Sequence, residues 1–437
     1  MQTLADLRAR ADAELLAGNY HAALHAFCAL LTMEPLDLDA RLRLGDTLLA
    51  LGEVQRAAVV YTTLARECAH GGHPLRALVA IKILTALEPL LGPLLASLAE
   101  LYGRDSARLG RAIRVAPGDL ERPLPEGFTM DPLAPLPDLC VHAQSLGAAI
   151  PGFVHPEQLP PIPLFSDLPA DAFARVLGAL KLRRERPGAS IVREGEPGQS
   201  FFVLARGSVA VMKHLAQGGE QTLATLGEGA IFGEMALVSA SPRTATVRCV
   251  TDCDLLEFDR EALSAASREV GTVALALDKF TRERLLNNLL SSAPLFRPLD
   301  RKQRFDLIRR FTAHDVASGV TILDEGVPGR GLFVLLSGEC DVVKRDGDSK
   351  VLLATLSPGD VFGEISLVND EPTSAAVIAA AQSTVLFLGK DVFERLAQAV
   401  PEIDEYVRTL GEERQLDTRL LLDAPDDLEL DEDRILI

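Results

Sequence analysis

The sequence predicts a multidomain chain: an α-helical repeat array followed by two copies of one small β-rich α+β domain. Three observations carry that prediction. Landmarks near the N-terminus return after 34 residues, landmarks after residue 163 return after 131, and the 51 residues at 113–163 hold 11 of the 26 prolines. A length of 437 residues leaves room for about three domains.

In the first hundred residues Gly18 recurs as Gly52, Ala23 as Ala57 and Phe27 as Tyr61. Glycine suits a turn between helices, alanine lets two helices approach closely, and an aromatic ring fills the space beside them. Pro35 stops the second helix of the first unit. A shortened third unit runs from Gly72 through Ala77 to Pro89, and Leu94–Tyr102 reads as a closing helix. Residues 1–112 thus resemble a tetratricopeptide array, in which neighbouring helix pairs bury faces that none can bury alone. That resemblance implies either a concave surface for a protein partner or a helical cap or dimerisation module.

Proline removes backbone donors and fixes φ, so residues 113–163 read as a semi-extended linker. The alternative is an apolar strap across a neighbouring domain, carried by Phe128, Leu133, Leu136 and Phe153.

Beyond it, Pro163-Leu164-Phe165 returns as Pro294-Leu295-Phe296, and Gly188, Gly195, Gly198 and Gly207 return as Gly319, Gly326, Gly329 and Gly338. Short β-rich runs such as Phe201-Phe202-Val203-Leu204 are punctuated by glycine, the pattern of a small barrel with tight turns. The two copies are assigned to residues 164–290 and 291–411. Cys249 and Cys253 fall on expected strands as small apolar filler.

The first copy contains Phe232-Gly233-Glu234-Met235-Ala236-Leu237-Val238-Ser239-Ala240-Ser241-Pro242-Arg243-Thr244-Ala245. Gly233 permits close approach of a ligand to the main chain, and amides at the start of a short helix favour an anion. Arg243 offers a forked pair of donors to a phosphate, and Glu234 is an acceptor suited to a sugar hydroxyl. A phosphate and a sugar read together indicate a nucleotide. The alternative is an ion pair between Arg243 and Glu234 in a ligand-free barrel.

This stretch resembles the phosphate-binding cassette of cyclic nucleotide-binding domains, found in catabolite-activator-like proteins and kinase regulatory subunits. The resemblance implies eight-stranded jelly-roll barrels and a cyclic purine nucleotide, cAMP or cGMP, as ligand rather than catalytic cofactor. Glu234 would bond the ribose 2′-hydroxyl, Arg243 the cyclic phosphate, and the amides of Gly233, Met235, Ala236 and Ala245 would complete the cradle. Thr244 can touch the phosphate or a syn guanine, which leans toward cGMP and leaves cAMP open. A C-terminal helix over Asp278–Leu290 would close on the base, with Phe280, Arg282 and Leu286 as lid residues.

The second copy keeps Gly363 and Glu364 but places Thr373 and Ser374 where Arg243 and Thr244 stand. Without that arginine a desolvated phosphate loses a partner worth on the order of several kcal/mol. A degenerate site with a structural or interaction role is expected there.

The net charge of −18 is uneven: the first barrel, at 15 basic against 16 acidic groups, is nearly neutral, whereas residues 412–437 hold 3 against 10. An acidic C-terminal tail at 412–437 stands where catabolite-activator-like transcription factors carry DNA-reading helices, so nucleic acid is not an expected partner. The segment before residue 164 carries only Arg114 and Arg122, so a basic pseudosubstrate is not evident. No apolar run spans a bilayer, no secretory signal is visible, and six scattered cysteines make no disulfide framework; a cytoplasmic protein without a membrane contact is expected. Catalytic motifs and metal-ligand sets are absent, so no enzyme is predicted. The expectation is a cyclic-nucleotide receptor that regulates a protein partner through its helical array or second barrel, with self-association compatible. The rival is a ligand-independent scaffold.

Overall fold

A computed structural model describes residues 2–422, apart from 88–91, 111–117, 131–132, 215–218, 234–242, most of 263–292, 309, 347–348 and 370. The chain forms two compact units, Met1–Phe280 and Thr281–Ile437.

The first unit begins with six helices: α1 (Leu4–Leu16), α2 (Tyr20–Met33), α3 (Leu38–Ala50), α4 (Val54–His70), α5 (Pro74–Leu87) and α6 (Gly92–Tyr102). Thr3 and Asp6 form a capping box at the start of α1, and Asp37 accepts from the Ala40 amide to start α3. Gly18 and Gly52 turn the chain with φ of +79° and +80°, and a Cβ at either would meet nothing within 4 Å. Backbone conformation rather than crowding therefore demands glycine. Ala23, Ala57, Phe27 and Tyr61 are all fully buried. Close helix approach also depends on Gly45, where a Cβ would stand 2.7 Å from the Tyr61 ring.

Residues 113–163 are not a semi-extended spacer. They contain α7 (Leu136–Gly147), packed on α2, α3 and α4 with Leu139, Cys140 and Ala143 buried. Arg41 of α3, only 2% exposed, donates to the carbonyls of Leu146 at 2.6 Å and Ala149 at 3.0 Å and so caps the end of α7. Further on, Leu159 and Ile162 are buried. The segment is a strap bound to the helices, because its apolar side chains outweigh the lost donors of its prolines.

A helix α8 (Ala170–Ala179) leads into eight strands: β1 (Lys181–Glu185), β2 (Ser190–Val192), β3 (Ser200–Arg206), β4 (Val209–His214), β5 (Glu220–Leu226), β6 (Ile231–Phe232), β7 (Thr246–Cys249) and β8 (Cys253–Asp259). They pair antiparallel in two sheets, β1-β8-β3-β6 and β2-β7-β4-β5. On β3, Phe202 and Leu204 face the interior of the barrel, while Phe201, Val203 and Ala205 join the core of the helical array. The unbroken apolar run of β3 thus serves two cores at once.

Ion pairs reinforce that junction. Arg184 of β1 grips both carboxylate oxygens of Asp46 on α3 at 2.7 Å and bonds Asp254 at 2.8 Å, while Arg206 takes the second Asp254 oxygen at 2.7 Å. Arg43 on α3 pairs with Asp252 at 2.8 Å, and Arg76 on α5 with Glu228 at 2.6 Å. Arg43 and Asp46 of α3 and Arg76 of α5 are thus engaged by the chain's own barrel.

The second unit repeats the architecture. After α9 (Arg301–Ile308) come β9 (Thr312–Val316), β10 (Thr321–Leu323), β11 (Gly331–Ser337), β12 (Cys340–Asp346), β13 (Ser349–Leu356), β14 (Val361–Phe362), a short α10 (Glu364–Val368), β15 (Ala376–Ala379) and β16 (Ser383–Gly389). Its sheets are β9-β16-β11-β14 and β10-β15-β12-β13. Two helices close it, α11 (Lys390–Ala399) and α12 (Pro401–Leu422). The expected tail does not begin at 412, for α12 carries the chain on to Leu422 with Ile403 and Val407 fully buried; residues 423–437 lie outside the described residues. No helix among the described residues is long and apolar enough to cross a membrane.

Candidate functional site

In the first barrel Gly233 follows β6 with φ +77°, and Arg243 precedes β7. The Arg243 backbone hooks onto the loop after β2: its amide donates to the Glu196 carbonyl and its carbonyl accepts from the Gly195 amide, both at 2.8 Å. That hook aims the guanidinium inward, where it donates to the Gly233 carbonyl at 3.0 Å and the Ser200 carbonyl at 2.6 Å. A Cβ at Gly233 would lie 2.6 Å from Arg243 Nη1, so glycine makes room for the arginine as well as for a left-handed backbone.

The structure therefore brings together Gly233 and Arg243, which the sequence paired. Thr244 is exposed and Ala245 half-buried beside them. Glu234, Met235 and Ala236 lie outside the described residues, as do Phe280 and Arg282 of the expected lid. Leu286 is helical and half-buried. Ser200 was missed, and its signal was faint, since it contributes a carbonyl and any residue type supplies one.

The second barrel shows the cassette more fully. Gly363, φ +81°, starts α10, and a Cβ there would come within 2.9 Å of the Gly331 carbonyl. Thr373 forms the same backbone hook as Arg243, with its carbonyl accepting from Gly326 at 2.8 Å and its amide donating to Val327 at 2.9 Å. Its side chain turns into that loop, donating to the Asp324 carbonyl at 2.5 Å and accepting from the Val327 amide at 3.1 Å. Threonine thus preserves the hook and omits the cation.

Glu364 is 2% exposed, a buried carboxylate that needs a partner. Arg414 of α12 supplies it, donating to Glu364 at 2.9 Å and to the Val361 carbonyl at 2.5 Å. Beside them is a cavity of about 590 Å³, lined by Glu364, Thr373 and Ser374 from the cassette and by Arg414, Asp417 and Thr418 from α12. Sequence reading missed Arg414 by ending the domain at 411. The signal was there: Ile403, Val407, Gly411, Arg414 and Thr418 recur every three or four residues along one helical face.

A family model for the cyclic nucleotide-binding domain matches residues 182–269 and 313–400. Among curated proteins, the cAMP-dependent protein kinase regulatory subunit of Neurospora crassa is 32% identical over 252 residues, covering 55% of this chain and 62% of that protein. The counterpart in Yarrowia lipolytica is 33% identical over 233 residues, 53% of this chain and 58% of its own length. The chain thus spans about three-fifths of these relatives. Among solved structures, the regulatory domain of Toxoplasma gondii PKA with cAMP is 26% identical, covers 57% of this chain and 92% of that one, and has a TM-score of 0.28. The catabolite activator protein of Thermus thermophilus is 33% identical over 30% of this chain and 61% of that one, with a TM-score of 0.27. The chain carries tandem cyclic nucleotide-binding domains and is similar, over the span that holds them, to regulatory subunits of cAMP-dependent protein kinase.

Proposed function

We propose that this chain is a non-enzymatic cyclic-nucleotide receptor whose first barrel takes the ligand and whose occupancy regulates a protein partner. The observation that carries it is the position of Arg243. Its guanidinium rests on two backbone carbonyls at the head of the cassette, and a carbonyl is a weaker partner for an arginine than a phosphate. A cyclic phosphate arriving there offers the guanidinium an acceptor of opposite charge for its forked donors. In this reading Glu234 takes the ribose hydroxyl, Gly233, Met235, Ala236 and Ala245 supply the amide cradle, and Phe280, Arg282 and Leu286 close over the base.

The names of the relatives point to cAMP and to a protein kinase as partner; the Thr244 hydroxyl keeps cGMP as the second candidate. The helical pairs fit a tetratricopeptide-like reading. Because the barrel engages Arg43 and Asp46 of α3 and Arg76 of α5, the array serves as the mount of the receptor, and a partner meets other surfaces. Calorimetric titration of cAMP and cGMP into wild type and Arg243→Ala tests the reading. Binding of one ligand per first barrel, lost in the variant, supports it; silence of wild type toward both nucleotides leaves the ligand-independent scaffold in its place. A pull-down with and without nucleotide then identifies a partner whose retention follows occupancy.

A further inference from the structure

The sequence holds two Arg-Arg pairs, one in each barrel domain. In the first, Arg183 and Arg184 are engaged by carboxylates of the chain itself, Glu185, Asp46 and Asp254, and no hydroxyl side chain follows within three residues. The second pair, Arg309-Arg310, is followed directly by Phe311 and Thr312. Guanidiniums three and two residues ahead of a hydroxyl suit an enzyme groove lined with carboxylates. Each planar fork seats a carboxylate, and the spacing then fixes which hydroxyl reaches the reacting centre.

The fold presents this stretch to solvent. After α9 ends at Ile308, the Arg310 amide closes a turn on the Leu307 carbonyl at 2.9 Å, and β9 begins at Thr312. Arg310 and Thr312 are exposed, whereas Phe311 between them is half-buried, its ring edge-on to Phe296 with centroids 6.2 Å apart. The phenyl ring anchors the segment and leaves the arginine and the hydroxyl on the outer side. Arg310 makes no ion pair among the described residues; Arg309 lies outside them. β9 is the end strand of its sheet, paired with β16 in the register Thr312–Phe387, and its residues from Thr312 to Asp315 are exposed without a break. The Thr312 hydroxyl is loosely held: it donates to the Phe387 carbonyl at 3.4 Å and lies 3.2 Å from His314 Nε2.

We propose that Thr312 is a phosphorylation site for a protein kinase that recognises basic residues ahead of its acceptor. In the transfer the Thr312 oxygen bonds the γ-phosphorus of ATP, the bond from that phosphorus to the ADP oxygen breaks, and the hydroxyl proton passes to the carboxylate base of the kinase. The product carries a charge of about −1.5 to −2 and sets three acceptor oxygens beside the His314 imidazole, while its donor to Phe387 is lost. Phosphorylation thus exchanges a weak bond to β16 for a contact along β9 itself. None of this depends on nucleotide binding by either barrel.

The test incubates the folded full chain with Mg·ATP and the catalytic subunit of cAMP-dependent protein kinase. Added cAMP and cGMP keep a receptor from retaining the kinase, and a reference peptide in the same tube verifies turnover. One phosphate per chain is expected, mapped to Thr312 by mass spectrometry. The initial rate should fall at least tenfold in Arg309→Ala and in Arg310→Ala, and incorporation at this site should vanish in Thr312→Val and persist in Thr312→Ser. Circular dichroism and thermal melting verify that each variant is folded; the serine variant and the site mapping in wild type keep the test decisive if Thr312→Val is not. Absence of phosphate from folded wild type overturns the proposal. So does incorporation that Thr312→Val leaves intact, or a rate that neither arginine variant lowers, which would mean that exposure alone admits the kinase.

Discussion

Arg184 of β1 holds both oxygens of Asp46 on α3 at 2.7 Å, and the same guanidinium bonds the fully buried Asp254 on β8. One side chain thus ties the helical array to the β1-β8-β3-β6 sheet of the first barrel. Its neighbours complete the arrangement: Tyr61 donates to Asp46 at 2.6 Å, and Arg206 takes the remaining oxygen of Asp254. A buried carboxylate deprived of its cation is far costlier than a surface one.

Removal of that guanidinium is therefore expected to be severe. Arg184→Ala should destabilise the first unit by about 2–4 kcal/mol, somewhat below the cost of breaking a fully buried pair because Arg184 keeps some contact with water. Denaturant unfolding measures it. A surface control, Arg408→Ala, breaks the exposed pair with Asp404 and should cost less than about 1 kcal/mol. Equal losses in the two variants would show that Arg184 does not couple array and barrel.

The same network sets an acid limit. Burial alone would raise the carboxyls of Asp46 and Asp254, but Arg184, with Arg43 and Arg206 respectively, overrides it and holds both below the ordinary carboxylate range. A carboxyl with a folded-state pKa below its unfolded one contributes stability above the unfolded value and loses it as pH falls through the folded value. Asp12 and Asp37, pushed up mainly by burial, act in the opposite direction and soften the loss. The difference in melting temperature between wild type and Asp46→Asn should be largest near pH 7 and shrink steadily below pH 4. A difference independent of pH would mean that packing, not charge, is what the substitution removes.

Helix packing makes its own prediction. A methyl at Gly45 would press on the Tyr61 ring, whose hydroxyl is fixed on Asp46 and cannot swing away freely. Gly45→Ala improves helix propensity yet should destabilise by about 1–3 kcal/mol through overpacking. Gly18→Ala meets no neighbour and should cost only about 1–2 kcal/mol, from its left-handed backbone. Combining Gly45→Ala with Tyr61→Leu should recover part of the first loss and none of the second.

Much of this was legible before any coordinates. The run Phe201-Phe202-Val203-Leu204 reads as a barrel strand, and the structure shows why it is apolar throughout: one face lines the barrel and the other joins the helical core. Gly233 and Arg243, ten residues apart, were assigned to one candidate site, and they meet in space. The reading failed where composition masked local signals. Eleven prolines made 113–163 look extended, although Pro135 and Pro137 occupy the N-cap and first turn of α7, where proline favours a helix. It failed again at Arg414, because the second copy was ended at 411 and the residue that pairs with Glu364 lies just beyond, on the same helical face as Ile403 and Val407.

All six cysteines are buried and unpaired. Burial pushes the thiols of Cys28, Cys68 and Cys249 up to about 12, so the reactive thiolate is scarce at neutral pH. The native chain should give almost no fast reaction with a thiol-specific chromogenic disulfide, and the chain in guanidinium should give six equivalents. A rapid native equivalent would identify a thiol exposed by local opening.

The pair Arg414–Glu364 seats α12 on the second barrel. Arg414→Met leaves Glu364 buried without its cation and should destabilise the second unit by roughly 2–4 kcal/mol, somewhat below a fully buried pair because Arg414 keeps some contact with water. Glu364→Gln in the same chain removes the orphaned charge, so the double variant should be more stable than Arg414→Met alone. That non-additivity is the energy of the pair, read from a double-mutant cycle by chemical unfolding. If the two losses simply add, the carboxylate has another source of neutralisation and α12 does not depend on Glu364 for its seat. If they couple, Arg414 is the link by which Glu364 seats α12, and a change at either residue is felt at the other.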